Sequence, residues 1–247
     1  MASHSVSQSV LLGALQPWRE VDEAIHRRLA RLVDPQPAQE TLWVGSGGGR
    51  SALWWAERFD GRVDGVDADA RAVERAEASA RAAGLAQRAT FQVARADDLP
   101  HQPQSFDVVV IHVPYLPGMG PEPMLHEAAR VVRPLGTVAA VVPTWLAAVG
   151  GEDEALIESF GLKPRQVMEW KQVFRDAGLV ELQAEDAALD HGWLLVRWPG
   201  LGIRAWRGGR WPALRAVLGH PARALRRLAR RRVLGLSLLK GTRWPHA

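Results

Sequence analysis

The 247-residue sequence predicts an α/β fold in which a mainly parallel sheet carries helices on both faces. Three observations predict it. Short apolar runs alternate with amphipathic segments between residues 18 and 142. The run Phe106-Asp107-Val108-Val109-Val110-Ile111 is almost wholly apolar, as a strand covered on both faces must be. A glycine cluster separates the first strand from the helix after it. A chain of this length that is 47% hydrophobic can bury one substantial core, so a single domain over residues 1–247 is expected.

The elements follow in order. Trp18 to Val33 reads as a helix with Val21, Ile25, Leu29 and Leu32 or Val33 on one face, ended by Pro35-Gln36-Pro37, and it is expected to cover a sheet edge. Thr41-Leu42-Trp43-Val44 is a short strand running into Gly45-Ser46-Gly47-Gly48-Gly49, after which Ser51 to Phe59 resumes helical spacing. Gly61 to Asp67 gives the second strand, Ala70 to Ala83 an Ala-rich helix with Glu and Arg on its wet face, and Ala89 to Ala94 the third strand. Phe106 to Ile111 is the fourth, Glu122 to Val132 a helix, and Val138 to Val142 the fifth strand.

Beyond Pro143 the rhythm loosens. Pro164 to Ala177 reads as a helix ended by Gly178, followed by a strand at Leu179 to Gln183. Residues 184–203 show no decisive pattern. Arg204 to Arg232 reads as a helical insert of two short helices, broken at Gly208-Gly209 and Gly219-His220-Pro221, before Val233 to Leu239 returns as a final strand, expected antiparallel.

Composition excludes several classes. Without cysteine there are no disulfides or thiolate metal sites, and the eight histidines show no HxxxH or HExxH spacing, so no metal is expected. The apolar run Val10 to Leu15 is too short to span a bilayer and lacks a basic stretch before it, which makes the cytoplasm the expected compartment. The thirteen Lys and Arg that follow Asp190 are met by no Asp or Glu, so the net +4 of the chain leaves about −9 for residues 1–190.

In a sheet of this type ligands bind beyond the carboxyl ends of the strands. Gly45-x-Gly47-x-Gly49 after a strand lets the backbone turn sharply and approach a ligand, with helix N-terminal amides behind it. A dinucleotide fingerprint would place its third glycine where Arg50 stands, and no Gly-Lys-Ser or Gly-Lys-Thr of a P-loop follows. Asp67, 22 residues after Gly45, can accept hydrogen bonds from both hydroxyls of a ribose. Alternatively it caps the helix starting near Ala70, a role open to Asp67 or Asp69.

These stretches, in this order, resemble the class I S-adenosylmethionine-dependent methyltransferases over roughly residues 38–142. Leu42-Trp43-Val44-Gly45-Ser46-Gly47-Gly48-Gly49 resembles the family's first motif and Gly65-Val66-Asp67-Ala68 its ribose-binding motif. Ala96-Asp97-Asp98-Leu99-Pro100 through Ser105-Phe106-Asp107 resembles its third and fourth strand region, and Glu127 to Gly136 its later helix and turn. The resemblance implies a Rossmann-like fold with S-adenosylmethionine held by Gly45, Ser46, Gly47, Gly49, Asp67, Ala68, Ala96, Asp97 and His112. It divides the chain into an N-terminal helix (18–33), a cofactor-binding core (38–142) and a C-terminal substrate or cap portion (143–247) that includes the basic insert 204–232.

The sequence departs from the family at two positions. Trp43 stands where relatives usually carry an acid that helps hold the amino end of the cofactor. Arg95 stands where relatives often carry the Asp that contacts adenine, with Asp97 close enough in sequence to substitute. The loop after strand four, Ile111-His112-Val113-Pro114-Tyr115-Leu116-Pro117, looks like the Asn-Pro-Pro-Tyr loop of amino-group methyltransferases, with His112 in place of Asn and Val113 in place of a Pro. His112 is therefore a candidate base and Tyr115, the only tyrosine, a candidate for orienting it; a structural hydrogen-bonding role for His112 is the alternative.

The expected function is S-adenosylmethionine-dependent methylation of a small molecule. The alternative is a methyltransferase-like scaffold without transfer activity that associates with a membrane surface or nucleic acid through its arginine-rich C-terminal segment. Ten arginines between Arg204 and Arg232, interleaved with Trp206 and Trp211, suit an anionic membrane surface; nucleic acid is not expected as a partner, and no oligomeric state is indicated. Among eleven tryptophans, Trp145 is the best placed for a substrate wall, and most of the others are expected in the core.

Overall fold

The structure is a computed structural model and describes residues 19–113, 116, 119–158, 163–186, 231 and 233–245. Helix α1 (Arg19–Val33) precedes β1 (Glu40–Val44), α2 (Arg50–Arg58), β2 (Arg62–Asp67), α3 (Ala70–Ala82) and β3 (Ala89–Val93). Then come β4 (Phe106–His112), α4 (Pro121–Val131), β5 (Val132–Trp145), α5 (Gly151–Glu158), α6 (Val167–Asp176), β6 (Leu179–Asp186) and β7 (Leu234–Arg243).

The seven strands form one sheet in the order β3-β2-β1-β4-β5-β7-β6, in which β1 to β5 are parallel and β7 runs antiparallel to both β5 and β6. Strand order therefore reverses between β1 and β4, and the crevice of a doubly wound sheet opens there, past Val44 and Ile111, which are register partners.

Period-two alternation sorts the apolar strands into two cores. Leu42, Val44, Val109, Ile111, Ala140 and Val142 pack with Met124 and Leu125 of α4 and Trp170 and Phe174 of α6. On the opposite face Trp43, Val108, Val110 and Val141 pack with Ile25 and Leu29 of α1, Trp55 of α2 and Val73 of α3. The Rossmann-like fold with helices on both faces and an antiparallel β7 is the expected one.

Four local expectations are corrected. Helix α1 does not cover an edge: Ile25, Leu29 and Val33 bury against the face that Leu236 and Leu238 of β7 share with Trp43, and α1 packs over β5 and β7 while β6 forms the edge. Strand β5 begins at Val132, not Val138, because Phe106 pairs with Val132 before the register jumps to Val108 with Thr137. The intervening Arg133-Pro134-Leu135-Gly136 is extruded as a bulge, with Leu135 at φ 65°, and its turn composition conceals the strand. Helix α5 was not expected; Glu152, Asp153 and Glu154 suit its first turn electrostatically, but it carries no apolar stripe to be read. Helix α6 starts at Val167 rather than Pro164, set by a capping box between Gln166 and Glu169.

The expected helical insert 204–232 lies, except for Arg231, outside the described residues. Among the described residues no helix is long and apolar enough to cross a membrane.

Candidate functional site

The turn after β1 is built on left-handed backbone. Gly45, at φ 75°, places its amide and that of Ser46 on the Val66 carbonyl of β2 at 2.9 and 3.0 Å, and a Cβ here would stand 3.2 Å from the His112 carbonyl oxygen. Gly49, at φ 80°, is the N-cap of α2 and passes so close to α3 and β3 that a Cβ would fall 2.8 Å from Ala76 Cβ and 2.9 Å from Phe91 Cζ. Between them, a Cβ on Gly47 or Gly48 would meet nothing within 4 Å, so the outer side of the turn is open. Ser46 Oγ is buried without a hydrogen-bond partner.

Asp67, at the end of β2, faces this turn. One carboxylate oxygen accepts the Gly47 N–H at 2.8 Å and the other the Asp69 N–H at 2.9 Å. Asp69, not Asp67, is the N-cap of α3, accepting from Arg71 N at 3.0 Å. The capping alternative for Asp67 thus falls to its neighbour. Two acceptances leave about two of the roughly four lone-pair positions of the Asp67 carboxylate for hydroxyls. Ala68 is exposed beside it.

The loop after β3 brings Ala96 and Asp97 to the same end of the sheet, anchored where Ala94 N donates to Asp67 O at 3.1 Å. Arg95 donates to both Asp97 oxygens, at 2.9 and 2.6 Å, and this hydrogen-bonded guanidinium holds the Asp97 carboxyl below the usual carboxylate range. The acid-to-arginine departure at 95 is therefore tied directly to the acid two residues on.

His112 ends β4 and is buried; alternation from Val108 and Val110 puts it on the Trp43 face. Burial, with a contribution from nearby His26, pushes its pKa down to about 3, so the imidazole is neutral at physiological pH. His26 itself, on α1, is buried, hydrogen-bonds Ser51 Oγ at 2.8 Å, and is pushed down to about 4 by burial and then by Arg50. Sequence reading did not single out His26; the available signal was a histidine between Ile25 and Leu29 on the buried stripe of an amphipathic helix. Trp43, where the family acid is expected, is 1% exposed and stacks edge-on with Trp55 at 5.6 Å and His26 at 5.9 Å, a core aromatic rather than a charged group facing a ligand.

Tyr115 and Pro114 lie outside the described residues. Val113, Leu116, Met119, Met124, Pro143 and Trp170, together with Pro121 and Lys163, line a small depression beyond β4. Trp170 belongs to the core, donating to Pro143 O at 2.9 Å, and Trp145 is half-buried at the end of β5. Among the described residues no group of three or more His, Asp or Glu is arranged to hold a metal ion.

A parallel sheet reversed between β1 and β4, with a glycine turn and a carboxylate at the switch point, defines a Rossmann-like α/β protein. The methyltransferase domain family model matches residues 42–136, and two relatives that the chain resembles are methyltransferases. It is 30% identical over 131 residues to methyltransferase GfsG of Streptomyces halstedii, covering 51% of this chain and 45% of that protein. It is 31% identical over 171 residues to 27-O-demethylrifamycin SV methyltransferase of Amycolatopsis mediterranei (strain S699), covering 65% and 61% respectively. The chain thus spans about half to three-fifths of the length of these two relatives. The structure of geranyl diphosphate C-methyltransferase from Streptomyces coelicolor A3(2) shares its fold with a TM-score of 0.70 at 16% identity, over 94% of this chain and 87% of that one.

Proposed function

We propose that this chain binds S-adenosylmethionine past the carboxyl ends of β1, β2 and β4 and transfers its methyl group to a small molecule. One observation carries it: Asp67 braces the Gly47 amide from the end of β2 while the space off Gly47 and Gly48 is open. Asp67 would take the ribose hydroxyls, Gly45, Ser46, Gly47 and Gly49 the sugar and methionine side, and Ala68, Ala96 and Asp97 the adenine side. Buried, unpartnered Ser46 Oγ fits a polar ligand atom. Bound there, S-adenosylmethionine supplies an electrophilic methyl on a sulfonium, so the protein's task is to align the acceptor and exclude water.

His112 sits at the carboxyl end of β4 on the Trp43 face of the sheet, its carbonyl oxygen close to Gly45 of the glycine turn. A neutral imidazole offers one donor and one acceptor. It therefore orients the acceptor better than it removes a proton, since a group with a pKa of about 3 is a weak base. Tyr115 is kept, on the sequence alone, as the candidate for orienting His112. A small-molecule acceptor is supported by the relative named for methylating 27-O-demethylrifamycin SV. We assign residues 38–142 to the cofactor half of one domain and 143–247 to the acceptor side.

Calorimetric titration with S-adenosylmethionine and S-adenosylhomocysteine tests the cofactor site, and release of S-adenosylhomocysteine in the presence of candidate acceptors tests transfer. Micromolar binding with turnover is expected. Absence of binding to both overturns the proposal; binding without turnover on any acceptor leaves the fold with a cofactor role other than methyl donation and overturns the transfer step.

A further inference from the structure

The loop from Ala94 to Ser105 leaves β3 and returns to β4 with no regular structure beyond a bridge between Arg95 and Asp98. At its centre Leu99 is buried, and its backbone is gripped by side chains of α4. Leu99 N–H donates to Glu127 Oε2 at 2.9 Å, while Leu99 C=O accepts from Arg130 Nη2 at 2.9 Å and His101 C=O from Arg130 Nη1 at 2.8 Å. The two side chains are also paired with each other, Arg130 Nε to Glu127 Oε1 at 2.7 Å and Nη2 to Glu127 Oε2 at 2.6 Å. One pair at i and i+3 thus satisfies both polar groups of a buried backbone residue, as a neighbouring strand would.

The base of this clasp is itself fixed. Arg243 of β7 donates to the carbonyls of Arg130 and Val132, and Gln104 N donates to Arg130 O at 3.1 Å. Between the Ala94 anchor on Asp67 O and the clasp on Leu99 stand Ala96 and Asp97, the adenine-side residues of the proposed site. Apolar burial of Ala96 and Leu99 sets the depth of the loop but not the direction of the backbone between them; a rigid guanidinium fork does set direction.

We propose that Glu127 and Arg130 are positioning residues for adenine recognition, fixing the Leu99 backbone so that the Ala96 amide and the Asp97 carboxylate meet the 6-amino edge of the purine. This rests on the S-adenosylmethionine reading above. It separates the pair from ordinary surface ion pairs, which contribute little.

The test is titration of wild type, Arg130→Gln, Glu127→Gln and Leu99→Ala with S-adenosylhomocysteine and S-inosylhomocysteine, below the lowest melting temperature of the set. Wild type should prefer the amino over the oxo purine by about tenfold, the worth of roughly one hydrogen bond to a charged group. Both clasp variants should shrink that preference to about threefold or less, whereas Leu99→Ala, which loses packing but keeps the backbone contacts, should retain it. Retention of the full preference in Arg130→Gln and Glu127→Gln, with only a lower melting temperature, overturns the proposal. So does a wild type that binds both purines equally. A wild type that binds neither instead overturns the cofactor reading itself.

Discussion

Asp67 accepts the Gly47 N–H at 2.8 Å, so the end of β2 and the turn after β1 form one unit across the first two strands of the parallel sheet. In the proposed site the carboxylate that braces the turn is also the one that meets the ribose.

Asp67→Ala should therefore raise the dissociation constant for S-adenosylhomocysteine by about 100-fold or more, the loss of two hydrogen bonds to a charged acceptor. Asp67→Asn, which keeps one acceptor oxygen, should fall between. Calorimetry on the three proteins reads this directly, and equal affinities would remove Asp67 from the site.

Stability should depend on pH through His26 and His112. Their folded pKa values of about 4 and about 3 lie below the ordinary 6.5. As pH falls below about 6.5 the unfolded chain takes up protons that the folded chain refuses, so stability is lost from about pH 6.5 down to about 4 through His26 and about 3 through His112, by up to about 1.4 kcal/mol per pH unit for each. Above 6.5 the two contribute no slope. Urea unfolding at pH 7.5, 6 and 5 measures it, and His26→Gln should flatten the curve. Methyl transfer should show no titration near 6.5 from His112; a rate that follows such a pKa would restore His112 as the base.

Gly49→Ala should destabilise by about 2–4 kcal/mol, combining left-handed backbone strain with overpacking against Ala76 and Phe91. Gly48→Ala, with open space around it and no positive φ, should change stability by less than about 0.5 kcal/mol. The comparison in chemical denaturation separates packing glycine from site-facing glycine.

Trp43→Glu, which restores the family's usual residue type, should cost at least about 3 kcal/mol instead of improving cofactor affinity. It leaves a cavity beside Trp55 and buries a carboxylate in an apolar cluster. Trp43→Phe should be much milder. An unfolding curve for Trp43→Glu close to wild type would show that this position opens toward the site after all.

Much of the sheet was legible in the residues. The wholly apolar Val108 to Ile111 announced a buried parallel strand, and the glycine cluster followed by Asp67 announced the switch-point turn, because both rest on local backbone geometry and side-chain period. What stayed hidden was non-local. The bulge at Arg133 to Gly136 looked like a turn since its pairing partner, Phe106, is distant in sequence. Helix α5 carries no stripe, and α1 gave no sign of which part of the sheet it would cover.

The sequence by itself determined the fold class, the order of the strands along the chain and the residue types at the switch point, since these follow from periodicity, glycine and a correctly spaced acid. Only the tertiary structure decided that Asp69 rather than Asp67 caps α3, that Arg95 ties down Asp97, that Glu127 and Arg130 grip Leu99, and that His112 stays neutral beside His26. Each of those depends on burial and on directional hydrogen bonds, which are set by distance in space and are not encoded in spacing along the chain.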